Sequence, residues 1–181
     1  MISDKDRSGW FGASDVGMIM GNWYTKTFEN WWLVKLGLRV DNFESDAMKA
    51  GTHWEHRVLE HLGVPNMDRQ ILIPELKLRV NLDGDDGHII TEVKTHKAEK
   101  PYRLPKAHRQ QVLVQMFATG MEGRVAAYGL LPEDYRNYLR NMDDVRLTLH
   151  GVAYDGAFIA KFREKCKRLA DCLERGRFPC V

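Results

Sequence analysis

The sequence predicts an α/β domain in which helices flank a central mixed sheet. Three observations carry this. Early in the chain the apolar residues fall at helical spacing, with Trp54, Val58, Leu59 and Leu62 on one side of the segment 45–62. The period then drops to two in L-K-L-R-V-N-L, where the leucines and Val80 form one face and Lys77, Arg79 and Asn81 the other. After that, strand-like and helix-like stretches alternate to the end of the chain, the pattern of a sheet covered by helices.

Taken in order, residues 12–20 read as a short helix with Ser14 in its first turn. Residues 27–37 read as a second helix, stopped at Gly37, where the missing Cβ suits a left-handed C-terminus. Residues 45–62 make the third. Strands follow at 69–74 and 76–82, and continuing the polar face of the latter places Asp83 beside Arg79 and Asn81. Residues 88–95 form the next strand, 104–119 a helix ending near Gly120, and 124–131 another strand. A short helix is expected around 133–140 and a strand around 145–153. Asp155 is placed to cap a last helix over about 156–175. No repeat, low-complexity tract or Pro/Gly/Ser linker divides the chain, so residues 1–181 are expected to be one domain.

Composition narrows the class. A chain of 181 residues with 44% hydrophobic and 29% charged residues can bury a core and fits a globular protein. No apolar stretch approaches the length of a bilayer span, and the first residues lack the apolar region of a secretory signal, so no membrane partner and a cytoplasmic location are expected. Cys166, Cys172 and Cys180 are an odd set with no tight pair and no fourth member, which points to free thiols rather than disulfides or an iron–sulfur cluster. With a net charge of only +2, any nucleic-acid contact has to come from local patches.

The chemistry concentrates in D-G-D-D-G-H-I-I-T-E-V-K, residues 83–94. Strand alternation projects Glu92 and Lys94 the same way and turns Val93 into the core. Two carboxylates and an ammonium on one surface suit a divalent metal, a water and a phosphodiester. Mg²⁺ takes oxygen ligands, and Asp83, Glu92 and the carbonyl of Val93 can each supply one. Lys94 can orient or activate the attacking water and steady phosphate charge. Asp85 and Asp86 compete for the role of Asp83. The face argument favours Asp83 and places the other two in a solvated turn, with Asp85 the alternative ligand. The plain alternative for the whole segment is a charged, solvated hairpin.

Other groups can join this site. Glu55, early in a helix, is a third acid, or an ordinary exposed helical Glu. His53, His56 and Glu60 fall near one helical face and offer a zinc reading, although they do not form H-E-x-x-H. Gln111 and Gln115, four apart, share a helix face, and each amide both donates and accepts. Lys97, Lys100, Arg103, Lys106, His108 and Arg109, against the single acid Glu99, form a basic track suited to phosphate backbones, or else a solvated loop. Arg7 and Ser14 bracket W-F-G-A-S, and a guanidinium with a hydroxyl near a helix start can hold a terminal phosphate.

In chain order, G-A-S-D-V-G-M-I-M-G, G-T-H-W-E-H, D-G with E-V-K, and Q-x-x-x-Q-M-F-A-T-G resemble the lambda exonuclease family, also called the YqaJ-like viral recombinases, of the PD-(D/E)XK nuclease fold. The resemblance runs from about residue 7 to residue 130. It implies a restriction-endonuclease-like core and an Mg²⁺-dependent nuclease with two ions, Mn²⁺ substituting. The implied substrate is linear double-stranded DNA, digested 5′ to 3′ to leave a 3′ overhang for a single-strand annealing protein. It further implies a homo-oligomer, a trimer among relatives, and a phage or prophage gene expressed in the bacterial cytoplasm. Carried over by position, Glu55, Asp83, Glu92 and Val93 are the metal ligands and Lys94 the catalytic lysine. Gln111 and Gln115 match the glutamine helix, and Arg7 with Ser14 the 5′-phosphate contacts.

There are departures. Asn81-Leu82 stands where the family often has Ser-Pro, leaving Asn81 as a possible phosphate donor, and Leu113 replaces a frequent glutamine. The chain is short for the family, which puts ring assembly and processivity in doubt more than chemistry. The residues alone do not separate an exonuclease from a nicking or structure-specific endonuclease, or from a non-catalytic DNA-binding module. Polarity and the annealing partner rest on the resemblance.

Overall fold

A computed structural model describes residues 7–40 and 45–179. Five strands, β1 (Asn66–Ile73), β2 (Leu78–Asp85), β3 (Ile89–Lys97), β4 (Glu122–Leu130) and β5 (Leu147–Val152), form one sheet in the order β1-β2-β3-β4-β5. Every neighbouring pair is antiparallel except β3 and β4, which run parallel. A parallel link needs a crossover, supplied here by α4 (Lys106–Thr119). The α/β class and mixed sheet expected from the sequence are both present.

Side-chain alternation along β3 and β4 splits the core. Ile90 and Val125 pack with α2 (Lys26–Lys35), α4 and α5 (Gly156–Glu174), while Val93, Ala126 and Tyr128 pack with α3 (Asp46–His61). The sheet therefore lies between α3 and the remaining helices. On the α2 side the apolar weight is aromatic, with Phe28 stacked on Trp32 at 5.9 Å and Phe11 on Trp31 at 5.8 Å.

Local signals explain the boundaries. Thr25 and Ser45 accept from the backbone of Phe28 and Met48 at the starts of α2 and α3, and Asp155 does so for Phe158 at α5. Gly120 ends α4 at φ 76°. Three expectations need correction. Ser14 lies in a 3-10 turn, Ala13–Asp15, that precedes α1 (Val16–Met20). Pro74–Leu76 is another 3-10 turn and Lys77 is left-handed (φ 49°), so β2 starts at Leu78. The helix expected at 133–140 is only the 3-10 turn Pro132–Tyr135. There, buried Asp134 accepts from the backbone of Leu131 and pairs with Arg146, so its polar groups serve tertiary contacts rather than a continuing helix. Cys166 and Cys172 are free and buried, and burial pushes the Cys166 thiol up to about 12. Cys180 lies outside the described residues. No helix is long and apolar enough to cross a membrane, among the described residues.

Candidate active site

The site is built on a fork in the sheet. β2 and β3 pair only at Gly84–Thr91 and Asp85–Ile90 and then part. Farther back, β2 is joined instead by Phe11, which donates to the Lys77 carbonyl at 2.7 Å and accepts from the Arg79 N–H at 2.7 Å. Residues 80–83 border the opening between these two attachments. Buried backbone groups must find partners, and at the opening side chains provide them. The Val93 N–H donates to Asp83 Oδ2 at 2.7 Å, and Gln115 Nε2 to the Asn81 carbonyl at 3.3 Å.

Glu92, only 1% exposed, faces α4 across this opening. It accepts from Lys94 Nζ at 2.6 Å and from Gln111 Nε2 and Gln115 Nε2 at 2.5 Å each. The (i, i+4) spacing on α4 lets both glutamines bind one carboxylate, and (i, i+2) on β3 brings Lys94 to the same side. Burial alone would lower the Lys94 ammonium, but Glu92 and Asp83 outweigh it and hold its pKa raised.

The neighbouring acids hold protons above their ordinary range. Burial, then the charges of Glu92 and Glu55, push Asp83 well up. Burial, then Glu92, raise Glu55 from the ordinary 4.5 to about 7. Three carboxylates thus share a poorly solvated region with one ammonium, an excess of negative charge that a hard divalent cation with oxygen ligands relieves. The donor set fits such an ion.

Glu55, Asp83, Asn81 and Gln111 line a cavity of about 530 Å³ that is also lined by Arg7, Ser14, Lys35 and Arg79. One cavity therefore joins an acid-rich wall to a cation-rich one. The segment carrying Ser14 is held by Asp15, which accepts from the Gly12 N–H at 2.7 Å and from Trp31 Nε1 at 2.9 Å. Asp15 also pairs with the buried Lys35 at 2.7 Å. Burial lowers the pKa of Lys35, and Asp15 partly counters it.

The predicted residues Arg7, Ser14, Glu55, Asn81, Asp83 and Gln111 thus come together around one cavity, with Glu92 in contact with Gln111. The basic track does not line this cavity, although the charges of Lys94 and Glu92 reach His108. Lys97 lines a separate cavity of about 420 Å³, Arg109 faces Asp155 at 3.8 Å, and Lys100, Arg103 and Lys106 are exposed elsewhere.

The turn expectation for Asp85 is overturned. It is a fully buried residue of β2 whose carboxylate accepts from Arg69 Nη1 at 2.7 Å, Gly87 N–H at 2.9 Å and Asn66 Nδ2 at 3.1 Å. Asp86 is an exposed turn residue as expected, and the N–H groups of Ile89 and His88 hold its pKa down. His53, His56 and Glu60 do not assemble into a zinc site. His53 stacks on Tyr138 at 4.2 Å, and His56 meets Asp68 at 2.9 Å. Lys35, Arg79 and Asp68 were missed as cavity residues. Arg79 and Asp68 stand in or near the polar strand pattern, whereas nothing local marks Lys35.

No family model matches the sequence, and no curated protein matches it significantly. Solved structures do. An alkaline exonuclease (LHK-Exo) from Laribacter hongkongensis is similar at a TM-score of 0.68 and 20% identity, over 92% of this chain and 89% of that one. The same values hold for LHK-Exo in complex with dAMP. A phage related exonuclease from Haemophilus somnus 129PT is similar at 0.66 and 12% identity, over 92% and 95% of the two chains. The chain has the fold of these exonucleases, and the resemblance drawn from its motifs is met at that level.

Proposed function

We propose that this chain is a divalent-metal-dependent deoxyribonuclease that digests linear double-stranded DNA from its ends, 5′ to 3′. The observation that carries the reading is Glu92. It is a buried carboxylate held by Lys94, Gln111 and Gln115 beside a cavity that Asp83, Glu55 and the cations Arg7 and Arg79 line. A structural ion pair needs neither the two glutamines nor the surplus acids. The fold shared with exonucleases supports the same reading, and one of these binds a nucleoside monophosphate, dAMP.

Glu55, Asp83, Glu92 and the Val93 carbonyl would hold Mg²⁺, or Mn²⁺ in its place, in a two-ion centre. The Val93 N–H points to the fork, and in a strand the carbonyl of a residue leaves on the same edge as its N–H. When bound, the metal acidifies a water and neutralises phosphate charge. Gln111 and Gln115 hold Glu92 in one orientation. The Lys94 ammonium, kept charged by Glu92 and Asp83, orients the attacking water and balances charge on the phosphate. Arg7 and Ser14 bind the terminal 5′-phosphate, and Asn81 donates to the next. Lys97, Lys100, Arg103, Lys106 and Arg109 contact the duplex backbone outside the cavity. The product is a 3′-overhang for a single-strand annealing protein, in a phage or prophage setting in the bacterial cytoplasm, with the chain working as a homo-oligomer.

The test is incubation with Mg²⁺ and either linear 5′-phosphorylated duplex or closed circular DNA. Loss of the linear DNA alone is expected. Cutting of the circle identifies an endonuclease, and binding without cleavage a DNA-binding module. Arg7→Ala should slow digestion from a 5′-phosphate more than from a 5′-hydroxyl, and equal loss on both ends would remove the end-recognition role.

A further inference from the structure

Beside the oxygen-only acids lies a second group of different chemistry. β1 departs from regular extended backbone at Asp68, which takes φ 55° between the paired positions Met67–Gly84 and Arg69–Leu82 and so lies opposite Asp83. The Asp68 side chain faces the same cavity as Glu55 and His56, consecutive residues of α3. His56 Nε2 and Asp68 Oδ2 are 2.9 Å apart, and a ligand atom from each of Glu55, His56 and Asp68 lies within 4.8 Å of the others. We propose that Glu55, His56 and Asp68 form a binding site for zinc or a similar borderline metal, distinct from the Mg²⁺ site and sharing Glu55 with it.

The donor set decides the metal. Imidazole suits Zn²⁺, Cu²⁺ and Ni²⁺, whereas Mg²⁺ takes oxygen, so His56 separates this group from Asp83 and Glu92. Zinc bonds of about 2.0–2.2 Å set ligand atoms about 3.4 Å apart in a tetrahedron. The observed spread is close enough that rotamer adjustment of His56 and Asp68, 49% and 66% exposed, completes the set. Two carboxylates neutralise the ion, and three protein ligands leave a position for exchangeable water. Because Glu55 serves both groups, zinc here withdraws a ligand from the Mg²⁺ centre. That consequence, unlike the binding itself, rests on the nuclease reading.

Calorimetric titration of the metal-free full chain with Zn²⁺ tests the site. The titration is done on the wild type and on His56→Ala, Asp68→Asn and Glu92→Gln, with Co²⁺ absorption spectra recorded in parallel. Expected are a zinc-binding event weakened by more than an order of magnitude in His56→Ala and in Asp68→Asn but kept in Glu92→Gln, and a Co²⁺ spectrum that changes when His56 is replaced. Both altered side chains are solvent-exposed, and thermal melts check that each variant folds. Equal zinc binding in wild type and His56→Ala, or its loss in Glu92→Gln alone, overturns the proposal, the pair then being an ordinary ion pair. In a separate arm, Zn²⁺ should suppress Mg²⁺-supported cleavage by the wild type more strongly than by His56→Ala. Absence of any cleavage there counts against the nuclease reading and leaves the calorimetric result standing.

Discussion

Glu92 is a charge with almost no water, and taking a carboxylate out of solvent costs several kcal/mol unless donors replace the lost hydration. Lys94, Gln111 and Gln115 are those donors. Replacing Gln115 with leucine leaves Glu92 and the Asn81 carbonyl each short of a partner. The expected cost is about 10–100-fold in Mg²⁺ affinity or rate, read from Mg²⁺ titrations of cleavage. Glu92→Ala and Lys94→Ala should each abolish cleavage in a chain that still melts cooperatively, and full activity in either would sink the site. Asp83 and Asp85 separate cleanly. Asp85→Ala removes a buried acceptor from Arg69, Asn66 and Gly87. It should cost about 1.5–3 kcal/mol of stability in denaturant melts while sparing the activity of the folded fraction, whereas Asp83→Ala should abolish cleavage even in the folded fraction, on top of the stability lost with the acceptor of the Val93 N–H. Strand alternation made Glu92, Lys94 and Asp83 legible in the sequence. The burial of Asp85 was not, because its side-chain partners stand on β1, 16 and 19 positions earlier, and only the pairing of β1 with β2 brings them together. Lys35 was hidden for the same reason: its partner Asp15 is on another element.

The glutamines work only if α4 lies close on the sheet. Gly123 of β4 makes the close approach possible, since a Cβ there would meet Val112 Cγ1 at 2.5 Å and Met116 Cγ at 2.9 Å, both on α4. Gly123→Ala should therefore destabilise by about 1–3 kcal/mol, as overpacking does, and also slow cleavage by lifting Gln111 and Gln115 from Glu92. Unchanged rates in a destabilised variant would show that the two effects are separate. Helices and strands with strong periodicity were legible, with α4 and β4 lying within two residues of the sequence reading. The segment after Pro132 was misread as a helix, because its polar groups are taken by partners far along the chain. The Asp134 carbonyl, for instance, accepts from Trp54 Nε1 of α3.

Across the whole molecule, the acids set against one another at the cavity make stability depend on pH. Glu55 titrates near 7 in the folded chain against an ordinary 4.5. From pH 4.5 upward the unfolded chain gives up this proton while the folded chain keeps it, so the stabilising contribution is complete below 4.5 and is lost as pH rises through 7. In the metal-free protein, Glu55→Gln should therefore gain stability relative to wild type across that window, measured as the difference between their unfolding free energies at each pH. A difference independent of pH would refute the assignment. On the proposed reading Mg²⁺ binds the folded arrangement of acids, and it should then raise the melting temperature at pH 8 more than at pH 5, an increment lost in Glu92→Ala. The fold class was legible from periodicity alone. What periodicity does not encode is that helices from opposite faces of the sheet contribute to one cavity, because that follows from where β2 and β3 part.

That parting has a spectroscopic consequence. The Val93 amide proton, which in an unbroken ladder would report on strand pairing, is bonded instead to the carboxylate of Asp83. Its chemical shift and solvent-exchange rate follow that side chain, so this peak in an amide spectrum should change when Asp83 loses its proton or takes a metal.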